Sequence, residues 1–282
     1  MFDLPRWEQY KLIDSGDFEK LEQFGEVFVV RPEPIAIWTK HEDKIWDDCH
    51  ATYKRKGDDG EWDIKKPFPK NWNIAWKKQK FELRTTSFKH TGLFPEQASN
   101  WEWLGKNLKP GAAVLNLFGY TGGATIACAQ AKASEVVHVD ASRPAISWAK
   151  TNAELSSLGK APIRWIEDDA QKFVARELRR SRVYDAIILD PPAFGRGPKT
   201  ELWKFEEHLP ALLTSLWEIL NRKHGLLLLN AYSLGFPPIA LEQLVRASIP
   251  WTANIETVEL GLEETTKRKF VVPAGIAVRV TW

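Results

Sequence analysis

Cysteine is scarce in this chain of 282 residues, where Cys49 and Cys128 are the only two. Two such distant thiols give no disulfide framework and point to a reducing compartment. Long apolar runs are missing: no stretch approaches the roughly 20 residues that a membrane-spanning helix needs. The start, Met1-Phe2-Asp3-Leu4-Pro5-Arg6, lacks the pattern of a secretory leader. Together these absences predict a soluble, cytoplasmic protein with no membrane partner. An excess of one charge is missing too, with 39 Lys and Arg against 37 Asp and Glu, net +2. Overall charge therefore neither marks nor excludes a nucleic-acid binder, and local clusters have to decide. The six His residues are dispersed, and Cys49-His50 has no partners at ligand spacing, so no metal site is predicted. Ser233 follows an apolar run without a Gly-x-Ser-x-Gly context, which argues against a hydrolase.

Aromatic bulk, by contrast, is plentiful. Six of the 14 Trp residues precede residue 80: Trp7, Trp38, Trp46, Trp62, Trp72 and Trp76. Such rings stack on bases or fill the core of a small β-unit, and the core reading is favoured here because a compact subdomain needs bulk.

The most informative segment is Val114-Leu115-Asn116-Leu117-Phe118-Gly119-Tyr120-Thr121-Gly122-Gly123, followed by the small residues Ala124 to Ala133. An apolar run, a glycine turn and a helical pattern describe the first strand-turn-helix of a nucleotide-type site. Its glycines are expected to let backbone approach a ligand closely. The spacing fails Gly-x-Gly-x-x-Gly, and Gly-Lys-Ser/Thr is absent, so a dinucleotide and a P-loop phosphate are both disfavoured. An adenosine ligand without pyrophosphate remains, and S-adenosylmethionine fits best.

Three acidic positions follow at strand ends. Asp140 closes Val136-Val137-His138-Val139, Asp168-Asp169 follow Ile163-Arg164-Trp165-Ile166, and Asp190 follows Ala186-Ile187-Ile188-Leu189. Carboxyl ends of strands are where open α/β sheets place ligands, and an acid after the second strand suits ribose hydroxyls. Each Asp alone is as readily a turn former or helix cap. His138, inside a strand, reads as a core residue.

Residues 1–89 are mixed and mainly β. Glu26–Val30 reads as a strand, Asp58-Asp59-Gly60 as a hairpin turn, and Asn73–Trp76 and Lys80–Leu83 as further strands. From residue 90 onward strands alternate with helices, predicting a parallel sheet covered on both faces. A helix is expected over 97–108 and another over 202–220. The last two strands, 255–260 and 276–280, lie too close for a helical crossover.

On these residues the chain resembles a class I S-adenosylmethionine-dependent methyltransferase, and more narrowly the RlmI-like group of ribosomal RNA large-subunit methyltransferases. The resemblance rests on Asn116–Gly123, Asp140-Ala141-Ser142, Glu167–Ala170, Asp190-Pro191-Pro192-Ala193-Phe194 and the upstream segment Lys89–Gln97. It runs from about Trp76 to about Trp282. It implies a Rossmann-like seven-stranded methyltransferase sheet, residues 90–282, ending in an antiparallel hairpin. The small amino-terminal mainly-β subdomain, residues 1–89, is expected on the substrate side or as a lid. The implied cofactor is S-adenosylmethionine. Its binding set is Asn116, Phe118, Gly119, Tyr120, Thr121, Gly122, Gly123, Asp140, Ala141, Ser142, Asp168, Asp169, Asp190 and Gln97. Two features depart from the group: no Cys follows the fifth strand at Leu229–Ser233, and the first 75 residues do not read as its RNA-binding PUA domain.

Methyl transfer from a sulfonium needs alignment more than covalent help. Asp140 is expected at the ribose, and Asp169 with Asp168 at the adenine edge. Asp190 and the Pro191 carbonyl are expected to accept from an exocyclic amine, with Pro191-Pro192 stiffening the turn. Phe194 either stacks on a base or anchors the loop. Arg196, Lys199, Lys267–Lys269 and Lys77-Lys78 are candidate phosphate contacts, although charge runs are usually solvated surface. The expected acceptor is a base in RNA, ribosomal RNA foremost. A small-molecule methyltransferase and a non-catalytic RNA-binding or assembly factor are the alternatives.

Overall fold

The computed structural model describes residues 2–56, 59–232, 235–249 and 253–282. Its strands open with β1 (Phe2–Asp3), β2 (Tyr10–Gly16), β3 (Glu19–Phe24), β4 (Val27–Pro32), β5 (Ala51–Lys56), β6 (Asp59–Ile64), β7 (Asn71–Trp76) and β8 (Gln79–Arg84). Helix α1 (Ala98–Asn107) precedes β9 (Ala113–Leu117), α2 (Gly123–Gln130), β10 (Glu135–Asp140), α3 (Arg143–Leu155), β11 (Ile163–Glu167), α4 (Ala170–Arg179) and β12 (Ala186–Leu189). Then come β13 (Phe194–Arg196), β14 (Leu202–Lys204), α5 (Phe205–Ile219), β15 (Leu226–Ala231), α6 (Pro238–Ser248), β16 (Asn254–Glu263) and β17 (Val271–Thr281). The chain divides into two compact units. One comprises the first three residues, Ser99–Leu260 and Ala274–Trp282; the other comprises Leu4–Ala98 and Gly261–Pro273.

The larger unit is an eight-stranded sheet in the order β1-β16-β17-β15-β12-β9-β10-β11. Strands β15, β12, β9, β10 and β11 run parallel, while β17 is antiparallel to β15. The expected seven strands are joined by β1, a two-residue edge strand parallel to β16. Strands β10 and β11 extend the sheet to one side of β9, and β12 and β15 to the other. The order therefore reverses between β9 and β12, the place where open α/β sheets open a ligand crevice at their carboxyl ends.

Continuous apolar runs such as Leu226–Leu229 suit strands buried on both faces. Leu115, Leu117, Ile187, Leu189, Leu227 and Leu229 pack under residues of α4, α5 and α6. Val114, Val136, Ala186, Ile188, Leu226 and Leu228 pack with Leu104 of α1, Leu108 just after it, and Cys128 of α2. Burial pushes the Cys128 thiol up to about 12, which keeps it an inert packing group.

The smaller unit holds a five-stranded sheet in the order β2-β3-β4-β5-β6 and the hairpin β7-β8. Asp59 and Gly60 of the expected turn belong to β6, paired with Lys56 and Arg55, and Asp58 lies outside the described residues. Strands β2 and β3 had no clean alternation of apolar and polar residues, because Asp14, Ser15, Lys20 and Glu22 are buried in them. Glu22 is held by both nitrogens of a fork from Arg31, at 2.6 and 2.7 Å, and by the Tyr10 hydroxyl at 2.9 Å. Burial opposes its charge, yet Arg31 and Lys20 hold its carboxyl down at about 2. Arg268 and Glu264 join this unit, where Glu264 accepts from Arg268, the Ser15 amide and hydroxyl, and the Thr266 hydroxyl.

All six early Trp residues donate their indole N–H inside this unit. The acceptors are Pro95 O, Ser15 Oγ, Asp14 Oδ2, Thr86 O, Phe24 O and Arg6 O, in chain order of the donors. Trp46 and Trp76 are buried core residues and the other four are half-buried, all with their donors satisfied, which favours the packing reading.

Candidate active site at the strand tips

The turn after β9 is built by backbone strain and by three neighbours. Phe118, Tyr120 and Gly122 all adopt positive φ, at 55°, 47° and 87°. Only glycine takes such angles freely, so the two aromatic residues are held there by contacts. The Phe118 ring lies 4.9 Å from Trp203, and the Tyr120 ring 6.5 Å from Trp148. Asn152 of α3 donates to Thr121 O at 2.9 Å.

The glycines serve the protein's own packing. A Cβ on Gly119 would collide with the His138 ring, one on Gly123 with Trp101, and one on Gly122 would sit 3.0 Å from the Ala149 Cβ. The expectation that they make room for a ligand is thus replaced by a nearer cause, since protein side chains already occupy that space. His138 is fully buried, and burial pushes its imidazole down to about 3, so it is neutral. Its Nδ1 meets Thr125 Oγ1 at 2.9 Å, and Asn116 Nδ2 donates to the same hydroxyl at 2.8 Å. Asn116 is therefore a support beneath the turn.

Asp140 stands beside this turn at the end of β10. Its Oδ2 accepts from the Tyr120 amide and its Oδ1 from the Ser142 amide, both at 2.8 Å. Burial raises its carboxyl above the usual range, and these amides oppose the rise. The Ala141 amide adds a third backbone hydrogen bond to this carboxylate. Ser142 also N-caps α3 through Ala145 N, and Ala141 lies half-buried between the two. Helix α2 starts at Gly123 without a side-chain cap, so its first amides are not claimed by a capping side chain.

The second acidic pair is divided. Asp169 is buried and N-caps α4, accepting from Lys172 N at 2.9 Å through Oδ1. Asp168 pairs with Arg176 and accepts from the Asp169 amide. Each Asp therefore has a structural role alongside any ligand role. The Asp168 amide donates to Asp140 O at 3.0 Å, which ties the tips of β10 and β11 together.

Asp190 follows β12 across the crevice from the glycine turn. Among the described residues it makes no hydrogen bond or ion pair, and burial alone pushes its carboxyl up to about 7. Pro191 is buried, whereas Pro192 is exposed. The next segment is a small hairpin, with β13 antiparallel to β14, where a loop and an earlier helix start were expected. Trp203 Nε1 donates to Pro192 O at 2.7 Å, and Phe205 N to Ala193 O at 3.0 Å, fixing the hairpin base. Phe194 starts the hairpin 55% exposed, so it is not a packing anchor. Arg196 and Lys199 lie exposed on it. Gln97 belongs to the smaller unit, at the end of the 3-10 turn Pro95–Gln97. Ser233 lies outside the described residues. Among the described residues no cluster of metal-ligating side chains occurs.

A model of the S-adenosylmethionine-dependent methyltransferase family matches residues 46–259, and the chain belongs to that family. A solved S-adenosylmethionine-dependent methyltransferase from Agrobacterium tumefaciens is 38% identical, with a TM-score of 0.93 over 100% of this chain and 93% of that one. A methyltransferase from Streptococcus mutans shares the fold at 15% identity, with a TM-score of 0.76 over 97% of this chain and 75% of that one. The ribosomal RNA large subunit methyltransferase K/L of Shewanella baltica is 33% identical over 185 residues, 65% of this chain and 25% of that protein. The chain thus spans about a quarter of the length of that curated relative. The strand tips fit the family's cofactor: the Asp140 carboxylate stands at the carboxyl end of β10, where an acid suits ribose hydroxyls, and the start of α2 presents amides to an anionic group.

Proposed function

We propose that this methyltransferase acts on an amino group of a nucleobase in RNA, ribosomal RNA foremost. What supports it is the Asp190 carboxyl at the topological switch point, without a partner among the described residues, followed by the exposed ring of Phe194. When bound, S-adenosylmethionine supplies an activated methyl group on a sulfonium. Asp140 holds the ribose through its carboxylate. Asp169, through the oxygen not used by its helix cap, and Asp168 receive the adenine edge. The turn Asn116–Gly123 and residues Ala141-Ser142 set the backbone that the cofactor lies against.

On the acceptor side, the Asp190 carboxylate and the Pro191 carbonyl accept from the amine, which aligns it and raises its nucleophilicity. Pro191 and Pro192 fix the turn that carries both acceptors. Phe194 offers a face for stacking, with the target base drawn out of any paired stretch. The mainly-β unit is assigned to the acceptor. It exposes Lys54, Arg55, Lys56, Lys65, Lys66, Lys70, Lys77, Lys78 and Lys80 within one stretch of chain, a composition suited to phosphates. Relatives named ribosomal RNA large subunit methyltransferases support the same reading.

Mass spectrometry of RNA nucleosides from cells with and without the protein tests this. One methylated amino-nucleoside is expected to vanish on deletion and to return with the wild type but not with Asp190→Ala. An unchanged nucleoside profile would reject the proposal.

A further inference from the structure

A relay of side chains in the larger unit ends beside Asp190. Asp3 pairs with Arg279 NH2 at 2.6 Å. Arg279 donates from Nε and NH2 to Asn100 Oδ1 at 3.1 and 2.8 Å. Asn100 Nδ2 donates to Asn230 Oδ1 at 2.7 Å. A guanidinium has donors only. Asn100 must therefore turn its oxygen to Arg279 and its NH2 to Asn230, and Asn230 must turn its oxygen to Asn100. The donor end of Asn230 is left pointing away from the relay. Among the described residues that Nδ2 has no protein partner, and it is not among the buried orphaned atoms either.

The sheet register sets the position of this donor. Leu189 of β12 pairs with Leu229 of β15. One residue further along the two strands come Asp190 and Asn230. Asn230 is 4% exposed and rigidly held, and it pairs with Ala277 on the adjoining β17. An acceptor-only carboxylate and a donor of fixed polarity thus stand on neighbouring strand tips at the switch point.

We infer that Asn230 is a specificity-determining residue: it donates to the ring nitrogen next to the amino group whose hydrogen Asp190 accepts, so that the pair reads a nucleobase carrying an amine beside a ring acceptor. Adenine, cytosine and guanine carry that edge, and uracil does not. The inference rests on the nucleobase reading and adds the polarity of the site. Burying polar groups that the wrong edge leaves unpaired is the strong form of discrimination.

The test uses the full chain and an unmodified large-subunit ribosomal RNA transcript, with labelled methyl transfer as readout. Asn230→Asp, which keeps the acceptor for Asn100, is expected to keep the parental melting temperature, and Asn230→Ala, which removes that acceptor, to melt lower but remain folded; both are expected to keep the affinity for S-adenosylhomocysteine and to lose about 10- to 100-fold in kcat/KM for the RNA. A second transcript carries a deaza base, lacking the ring nitrogen, at the methylated position. On it the parent is expected to lose a similar factor, and Asn230→Ala less than about threefold more, the non-additivity of a direct pair. Asn100→Asp, which keeps the acceptor for Arg279 but withdraws the N–H from Asn230, is expected to lose activity while melting like the parent. If the parent labels no RNA, the nucleobase reading fails and takes this inference with it. If the parent labels RNA but Asn230→Ala stays within twofold, or loses equally on both transcripts, the inference alone is overturned.

Discussion

At the glycine turn, a methyl group on Gly119 would run into the His138 ring, which fills the space from β10. Gly119→Ala is therefore expected to destabilise the fold by about 1–3 kcal/mol, through overpacking. Urea unfolding checks this, and Gly119→Ala combined with His138→Ala should recover part of the loss. Asp190 gives the second prediction at this scale. Its carboxyl is raised by burial from 3.8 to about 7 in the folded protein, so the folded state holds a proton that the unfolded chain has released. Stability contributed by that proton is complete below the unfolded value and is lost as pH rises through about 7. Asp190→Asn should match the parent in stability near pH 3 and exceed it at pH 8, as measured by thermal melting in the absence of cofactor. Because the carboxylate is the acceptor form, kcat/KM for the RNA should rise with pH through the same range. Asp140, Asp168, Asp169 and Asp190 were legible because each ends an apolar run. Asn230 ends one too, but its importance depends on Asn100 and Arg279, residues remote in sequence. His138 read correctly as core, yet its part in requiring Gly119 was invisible without the pairing of β9 and β10.

Among the elements, the alternating strands and helices of the larger unit were readable, because strands buried on both faces are runs of Leu, Ile and Val. The hairpin β13-β14 was not. Its strands are three residues each, and Gly195, Gly197 and Pro198 read as a loop. What stiffens it is the Trp203 hydrogen bond to Pro192, a contact between the hairpin and the segment before it. Since Phe194 projects exposed from this rigid base, Phe194→Ala should leave melting temperature and cofactor affinity unchanged while lowering methyl transfer at least about tenfold, within the range expected for loss of a stacked base. Equal transfer rates in a labelled-methyl assay would remove Phe194 from the acceptor site. Strands β2 and β3 were illegible for the opposite reason: their buried face is partly ionic, which breaks the alternation on which strand recognition depends.

Across the whole molecule, the sequence changes from β-rich to alternating near residue 90, whereas the compact units divide between Ala98 and Ser99 and each takes in a segment remote in sequence. Unreadable were the contribution of Phe2 and Asp3 to the main sheet and the assignment of Gly261–Pro273 to the smaller unit. Both depend on long-range pairing of short segments. The smaller unit is pinned by buried charges, and this makes it sensitive to truncation. Removing Arg31 with Arg31→Leu leaves Glu22 buried with only the more distant Lys20 as counter-charge, and should cost about 3–5 kcal/mol in denaturant unfolding.

In the proposed site the tips of β9, β10, β11 and β12 hold the adenosyl cofactor, and Asp140 grips its ribose. Calorimetric titration of S-adenosylhomocysteine into the parent and into Asp140→Ala tests this directly. One saturable site is expected in the parent and a loss of about 1–3 kcal/mol in the variant; equal affinities in two equally well-folded proteins would contradict the assignment.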